Sequence, residues 1–562
     1  MKKYLFLLSV VFALAFLLRV IGITSYPVGF TQDEAGLGYD SYSILKTAKD
    51  QWGTSWPLTL RSFGDFKMPA YAYFATPSIY LFGLNELGVR LPAAVMGSLA
   101  VIATYLMVLS LGKRKDFALL SALFLATSPW HISLSRGAFE ANLTSLFLPL
   151  AVWSFIKGIE KPKWMILSAV FFGINLFTYH AARYVSPLVL LALKLAYSKE
   201  IRRNLGSAGL GGLTKRFKWA IVVAVLFLGM AFGSMFTGAA RRGLDITIFN
   251  PTDHWKQVAD SRYEAIVSGV PETIARAFYN KPLYIFKTFS GGYLSYFSPS
   301  FLFTQGVSEW SYGMISGRGV MYLFEIILIL AALASFLKNK GFNKMGVVLI
   351  WLALAPLPAA FTKGPGMSGT RAAVMMPALQ IISAWGAIYI LDWIKEKYLS
   401  RVASLFLGLL LVLLSLSLGA FLESYRYHAP LYASKDMQEP MAAIIERVSA
   451  LEGGYDGIVL SRTLSVPNIW VQFYQKMDPK EVQKASRTWL RYEAQGVGYL
   501  DQIDEYSLGK YIFGDIVIED LKGRNLLVVG RSSEFPLQTK PIESFNYLNG
   551  EPAYILVDAN EL

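Results

Sequence analysis

The chain of 562 residues is 54% hydrophobic and only 16% charged, with a mean hydropathy of +0.41. Soluble globular chains carry about 25% charged residues, so this composition argues against a soluble enzyme, and an aromatic content of 14% excludes disorder. There is no cysteine and there are four scattered histidines, His131, His180, His254 and His428, which removes disulfides, thiol catalysis, Cys-ligated zinc and a His-rich metal site.

The net charge of +14 is unevenly spread. Residues 422–562 hold 14 Lys+Arg against 20 Asp+Glu, whereas residues 1–421 carry +20. The basic excess thus lies in the apolar part, as in a membrane protein, and does not point to nucleic acid.

A helix of about 20 mostly apolar residues crosses the hydrocarbon core of a bilayer. Eleven transmembrane helices are predicted, at 4–23, 91–111, 117–133, 141–156, 164–180, 184–197, 219–237, 319–337, 346–361, 371–392 and 403–421. Lys2 and Lys3 ahead of an apolar run would suit a signal peptide. The run lacks a convincing small-residue cleavage site and contains Arg19, so it reads as an uncleaved helix.

Lys and Arg counts then orient the chain. With the N-terminus in the cytoplasm, the short basic connections 113–115, 157–163, 199–218, 338–344 and 395–401 are cytoplasmic. Segments 24–90, 134–140, 238–318 and 362–370 lie outside. An odd number of spans sends the acidic residues 422–562 to the outer face.

That last part differs in kind. Short apolar runs such as Gly457–Leu460, Tyr511–Phe513 with Ile516–Ile518, and Leu526–Val529 are separated by turn residues, with helices predicted near 436–451 and 478–490. The predicted architecture is therefore an α-helical polytopic membrane domain, 1–421, followed by an extracytoplasmic α+β domain, 422–562.

The first outside loop is the informative segment. Asp33-Glu34 opens a stretch with Leu37, Ile44, Leu45 and Ala48 at helical spacing, predicted to lie in the interface as an amphipathic helix. Two acids at its start suit the helix dipole, so they either cap the helix or do chemistry. Further on come Gly64-Asp65-Phe66-Lys67-Met68-Pro69 and Gly88-Val89-Arg90-Leu91-Pro92. Lys67 and Arg90 either snorkel to headgroups or clamp a phosphate.

The order of a first helix, an Asp-Glu loop, a Lys-x-Pro segment and a Gly-Val-Arg-Leu-Pro start to the next helix resembles the polyprenyl-phosphate-dependent glycosyltransferases of GT-C fold. The relatives meant are the protein O-mannosyltransferases and the lipid A aminoarabinose transferases. The likeness continues at Ser128-Pro129-Trp130-His131 and Arg136-Gly137-Ala138-Phe139-Glu140. It covers residues 1–200 by motif and the later helices by topology. Relatives often read Lys-Pro-Pro where this chain has Lys67-Met68-Pro69. Many carry a lysine after the fifth span, where this chain has Tyr179-His180-Ala181-Ala182-Arg183.

The resemblance implies an inverting transferase in the plasma (inner) membrane. It would move a sugar from a polyprenyl-phosphate donor to an acceptor hydroxyl on the outer face. By match to the family's loop, Asp33 is the candidate base and Glu34 its neighbour on acceptor or sugar. Lys67 is the candidate phosphate ligand, and Asp65 positions Lys67 or touches the sugar. Arg90 is either a further phosphate ligand or a structural arginine. Arg136 and Glu140, four apart, either pair on one helix face or line the site. Similar bacterial proteins carry an arginine at the start of a late helix. That makes Arg371, after the glycine-rich turn 362–370, a second candidate phosphate ligand at a helix N-terminus.

The inventory fits such chemistry. A phosphate leaving group needs no general acid; the acceptor needs one base, and the phosphate needs cations as its charge develops. No cofactor is expected. Asp33, Glu34 and Asp65 would be the ligands of a divalent ion if there were one, but no His joins them. The aromatic segment 293–303 reads either as a lid over an acceptor groove or as an anchor in the aromatic belt.

A transporter or flippase for a lipid-linked or anionic substrate is the alternative. It should show repeats and charges at mid-membrane, whereas the polar residues here cluster at the outer ends. A non-catalytic assembly factor would lack the acids.

Overall fold

The computed structural model describes residues 2–205, 209–236, 247–249, 251–338, 344–364, 366–398, 400–491, 496–497 and 499–562. Parts of the predicted outside segment 238–318 (238–246 and 250) and of the basic connection 338–344 (339–343) lie outside these.

Each of the eleven predicted segments contains a helix. Fewer are uninterrupted spans. Among the described residues six helices are long and apolar enough to cross a membrane, Lys2–Val20, Glu86–Gly112, Glu140–Glu160, Lys215–Ser234, Ala373–Lys397 and Ser400–Ala433. A bent pair makes a seventh. Predicted span 117–133 is Lys115–Thr127 and Pro129–Arg136, inclined by 56°. Pro129 supplies no N–H, and Ser128 ends one helix and caps the next through the His131 amide. Predicted span 164–180 stops at Asn175, and the turn that follows serves the site.

Helices are labelled α1 (Lys2–Val20), α2 (Gln32–Thr47), α3 (Ala70–Phe82), α4 (Glu86–Gly112), α5 (Lys115–Thr127), α6 (Pro129–Arg136), α7 (Thr144–Glu160), α8 (Pro162–Asn175) and α9 (His180–Ala196). A two-residue hairpin, β1 (Leu60–Arg61) with β2 (Phe66–Lys67), precedes α3.

The C-terminal part carries a six-stranded sheet. Its strands are β3 (Gly457–Ser461), β4 (Glu505–Leu508), β5 (Tyr511–Gly514), β6 (Leu526–Gly530), β7 (Glu543–Asn546) and β8 (Pro552–Asp558), in the order β4-β5-β3-β6-β8-β7. β3 runs parallel to β5 and β6, and the other pairs are antiparallel. β3 and β6 are buried along their whole length. Their unbroken apolar runs are those of strands covered on both faces. The predicted helices appear as Met441–Leu451 and Pro479–Trp489, with an additional one at Pro467–Tyr474.

α2 is largely covered by protein. Ten of its sixteen residues are buried, Asp40, Ser41 and Ser43 as well as Leu37, Tyr39 and Ile44, because the C-terminal helices cover the face that was expected to be polar. Phe473 packs on Phe30 at 4.8 Å between ring centroids and Trp489 meets Trp52 edge-on at 6.0 Å. Gln483 donates to Ser43 Oγ, Thr47 Oγ1 and Asp50 O, and Tyr39 donates to Met477 O at 2.8 Å. Gly38 permits the close approach: a Cβ there would stand 2.5 Å from Val89 of α4 and 2.9 Å from Phe473. The first outside loop and the C-terminal part thus share one apolar core.

Candidate active site

The two acids at the start of α2 have separate fates. Glu34 is the N3 residue of a capping box. Thr31 Oγ1 accepts from Glu34 N at 3.2 Å, and Thr31 N donates to Glu34 Oε2 at 3.1 Å. The same carboxylate takes Arg90 Nε at 2.8 Å and Nη2 at 3.0 Å, and the amide of Ala138 at 3.0 Å. Arg90 completes its fork on the carbonyl oxygens of Ile23, Pro27 and Gly29. All five N–H donors are engaged and both side chains are fully buried. This corrects two expectations. Arg90 has no donor left for a phosphate, and Glu34 is enclosed with its arginine, away from any acceptor or sugar.

Asp33, one residue earlier, faces the other way. Its side chain is 33% exposed, and its Oδ1 lies 2.5 Å from Lys67 Nζ. Lys67 is 9% exposed, and Asp33 is the one carboxylate within ion-pair distance of it among the described residues. Two elements bring it there. The β1–β2 hairpin turns through Ser62–Asp65, with Ser62 N donating to Asp65 O at 2.7 Å. The turn after α8 then clamps the hairpin's exit, Ala70 N donating to Phe177 O at 3.1 Å and His180 Nε2 meeting Phe66 O at 2.9 Å. Asp65 stands with Asp33 on the wall of a cavity of about 520 Å³.

Glu140, at the entrance of α7, is within electrostatic reach of both Lys67 and Asp33. Tyr179 is in reach of Glu140 and of Arg371, and Tyr312 is in reach of Asp33 and Tyr179. Burial pushes the Tyr312 hydroxyl well above its ordinary pKa, and Asp33 adds to the effect. Electrostatic reach thus links Lys67 to Arg371 only stepwise, through Glu140 and Tyr179.

Arg371 lies two residues before the span Ala373–Lys397, which opens as the short 3-10 turn Ala373–Met375 and becomes α-helical at Ala378. Its own loop holds one nitrogen, Nη1 donating to Lys363 O at 2.6 Å and Thr362 Oγ1 at 3.1 Å. The loop is fastened by Trp130 Nε1 to Gly369 O at 3.1 Å and by Ser368 N to Tyr296 Oη at 3.1 Å. Of the aromatic segment 293–303, Tyr296 and Phe301 are buried beneath it, Phe301 edge-on to Trp130. They form the bed of the Arg371 loop.

Arg136 leaves the site altogether. Its guanidinium donates to Leu18 O, Ile21 O, Gly22 O and Tyr26 O. It closes the C-terminal end of α1, where a cation also suits the helix dipole. The expected pairing with Glu140 is thereby displaced. Among the described residues no group of three or more His, Cys, Asp or Glu is arranged to hold a metal ion.

The architecture is shared with known membrane enzymes. ArnT of Cupriavidus metallidurans, in a structure with undecaprenyl phosphate, superposes at a TM-score of 0.57 with 12% identity, over 98% of each chain. The oligosaccharyltransferase AglB of Archaeoglobus fulgidus, with an inhibitory peptide and a dolichol-phosphate, gives 0.50 with 13% identity, over 84% of this chain and 63% of that one. The chain has the GT-C glycosyltransferase fold.

Within this GT-C chain, residues 67–211 match a family profile described as dolichyl-phosphate-mannose-protein mannosyltransferase. The match begins at Lys67, runs through Arg90 and Glu140, and ends beyond α9, at the start of the helix Gly209–Ser234. A Bacillus subtilis (strain 168) protein described as "Putative mannosyltransferase YkcB" is 30% identical over 145 residues. That alignment spans 25% of this chain and 20% of its relative.

Two contributors to the candidate site carried little signal in the sequence. Tyr179-His180 stood out only as a departure from the relatives, and Tyr312 lies in a loop without periodicity.

Proposed function

We propose that the protein is an inverting membrane glycosyltransferase. It moves a sugar from a polyprenyl-phosphate donor to an acceptor hydroxyl on the outer face of the membrane, with the N-terminus cytoplasmic. The observation that carries this reading is the meeting of Asp33 with the buried Lys67 at 2.5 Å beside an open cavity. The undecaprenyl phosphate and dolichol-phosphate held by the two structural neighbours support a lipid-linked donor.

Asp33 takes the proton of the acceptor hydroxyl as its oxygen bonds to the anomeric carbon. The bond from that carbon to the phosphate oxygen breaks, and the electron pair leaves with the phosphate. Lys67 and Arg371 absorb the growing charge. Attacking and leaving oxygens stand on opposite sides of the reacting carbon. Lys67 can therefore serve the phosphate either by sharing its three N–H donors or by leaving Asp33, and in the second case donor binding releases the carboxylate for the acceptor. No resident metal enters this scheme.

The test is turnover of a polyprenyl-phosphate sugar by the purified chain in nanodiscs. Release of polyprenyl phosphate is expected from wild type. Binding of polyprenyl phosphate without turnover of any sugar-loaded form, together with its transfer between leaflets, would favour a flippase instead.

A further inference from the structure

The cavity beside Asp33 has three walls from distant parts of the chain. One is the start of α2, one is the β1–β2 loop, and the third is two C-terminal loops that supply Arg462, Tyr499 and Gln502. The walls are tied together. Ser465 Oγ donates to Gln32 Oε1 at 2.7 Å, and Leu500 N donates to Phe63 O at 3.1 Å. Ser465 and Val466 both hold left-handed backbone, φ 50° and 49°. A β-branched residue adopts this only when its surroundings impose it. The cavity's volume of about 520 Å³ falls in the range of about 300–1,000 Å³ usual for small-molecule sites.

We propose that this cavity is the acceptor subsite and that it takes a neutral, polyhydroxylated acceptor, the end of a glycan. The inference rests on the glycosyltransferase reading and adds the acceptor class. Asp33 is on the wall, so whatever fills the cavity touches the candidate base.

The lining excludes other chemistries. An anionic acceptor would find no uncommitted cation on the described wall: Arg462, the one cation among the described lining residues, is matched by Asp515, and Asp33 already holds Lys67. An apolar acceptor would cover Asp65 and Gln502 without offering either a hydrogen bond. Sugar hydroxyls can add to the partners both already have: the Asp65 carboxylate, which accepts from Phe66 N, has further lone pairs, and Gln502, whose Oε1 accepts from Tyr499 N, carries an amide nitrogen that donates. The Tyr499 ring, 53% exposed, offers a flat apolar face to the C–H side of a sugar ring. The C-terminal domain thus selects the acceptor while the membrane part holds the donor.

The full chain in nanodiscs is titrated with mannotriose, mannose 6-phosphate, a serine-rich peptide and, in parallel, undecaprenyl phosphate. Mannotriose is expected to bind, and mannose 6-phosphate more weakly. Tyr499→Ala and Gln502→Leu, on an exposed loop, should each weaken mannotriose by about tenfold, the worth of one good polar or ring contact, with undecaprenyl phosphate affinity unmoved. Mannotriose binding no better than the peptide, or equally well in both variants, overturns the acceptor assignment and leaves the transferase reading standing. Absence of undecaprenyl phosphate binding to wild type overturns both.

Discussion

Arg90 closes a two-point ion pair on Glu34, and both side chains are wholly enclosed. The pair fixes the start of α2 to α4 and to the loop after α1, and so aims the neighbouring Asp33 at the cavity. Removing one partner of a buried pair destabilises by about 3–5 kcal/mol. Glu34→Gln and Arg90→Leu should therefore lower the thermal midpoint or the yield of folded protein in micelles. Wild-type stability with lost donor affinity would return Arg90 to the phosphate.

Arg371 is expected to act on the donor through its side chain alone. A charge-assisted hydrogen bond contributes about 1.5–3 kcal/mol, so Arg371→Ala should weaken undecaprenyl phosphate binding by about 10- to 100-fold. Arg371→Lys should recover part of the loss, because a point charge does not reproduce the planar fork. Titration of both variants is the check. Unchanged affinity in Arg371→Ala would confine this residue to bracing its own loop.

The buried acids under α2 set a pH dependence of stability. Burial pushes the Asp50 carboxyl up to about 6, against the amides of Thr54 and Trp52. Asp40 shifts the same way through burial and the nearness of Asp50. The unfolded chain releases such protons near pH 4, at about the ordinary Asp value, whereas the folded chain keeps the Asp50 proton until about 6. The folded state thus binds more protons across that window, and this contribution to stability falls as pH rises through it and then levels off. Asp50→Asn keeps an acceptor for both amides and removes the ionisation. Its thermal midpoint should exceed wild type at about pH 8 and approach it at about pH 5. A difference independent of pH contradicts the assignment.

Orientation is testable with reporter fusions. A fusion after Lys338 and one after Glu423 should report opposite sides of the membrane, because three predicted spans, 346–361, 371–392 and 403–421, separate them. The same side for both would remove the outer-face placement of the C-terminal domain.

The helical membrane part and the C-terminal sheet were legible because apolar run length separates them. Runs of about 20 residues span a bilayer, and runs of four or five make covered strands. Lys67 and Asp33 stood out as charges beside apolar segments. The division of labour between Asp33 and Glu34 was not legible, since both suit a helix start and only the partner, Arg90, distinguishes them. Arg136 misled for the same reason. Four residues from Glu140 in sequence, it finds its acceptors at the end of α1, more than a hundred positions away. The burial of α2 was hidden because its cover, Phe473, Gln483 and Trp489, belongs to the far end of the chain. Arg462, Tyr499 and Gln502 gave no pattern at all, being single polar residues in loops that a distant contact brings to Asp33.

The central claim is that Asp33 serves the acceptor and Lys67 the donor, although the two touch. Its most direct measurement is undecaprenyl phosphate affinity and single-turnover rate, side by side, for Asp33→Asn and Lys67→Ala. Asp33→Asn should keep donor affinity and slow transfer by about 10²–10⁴-fold, the usual loss on removing a positioned base. Lys67→Ala should weaken donor affinity and slow transfer together. Transfer by Asp33→Asn within a few-fold of wild type, or donor affinity unchanged in Lys67→Ala, would contradict the account.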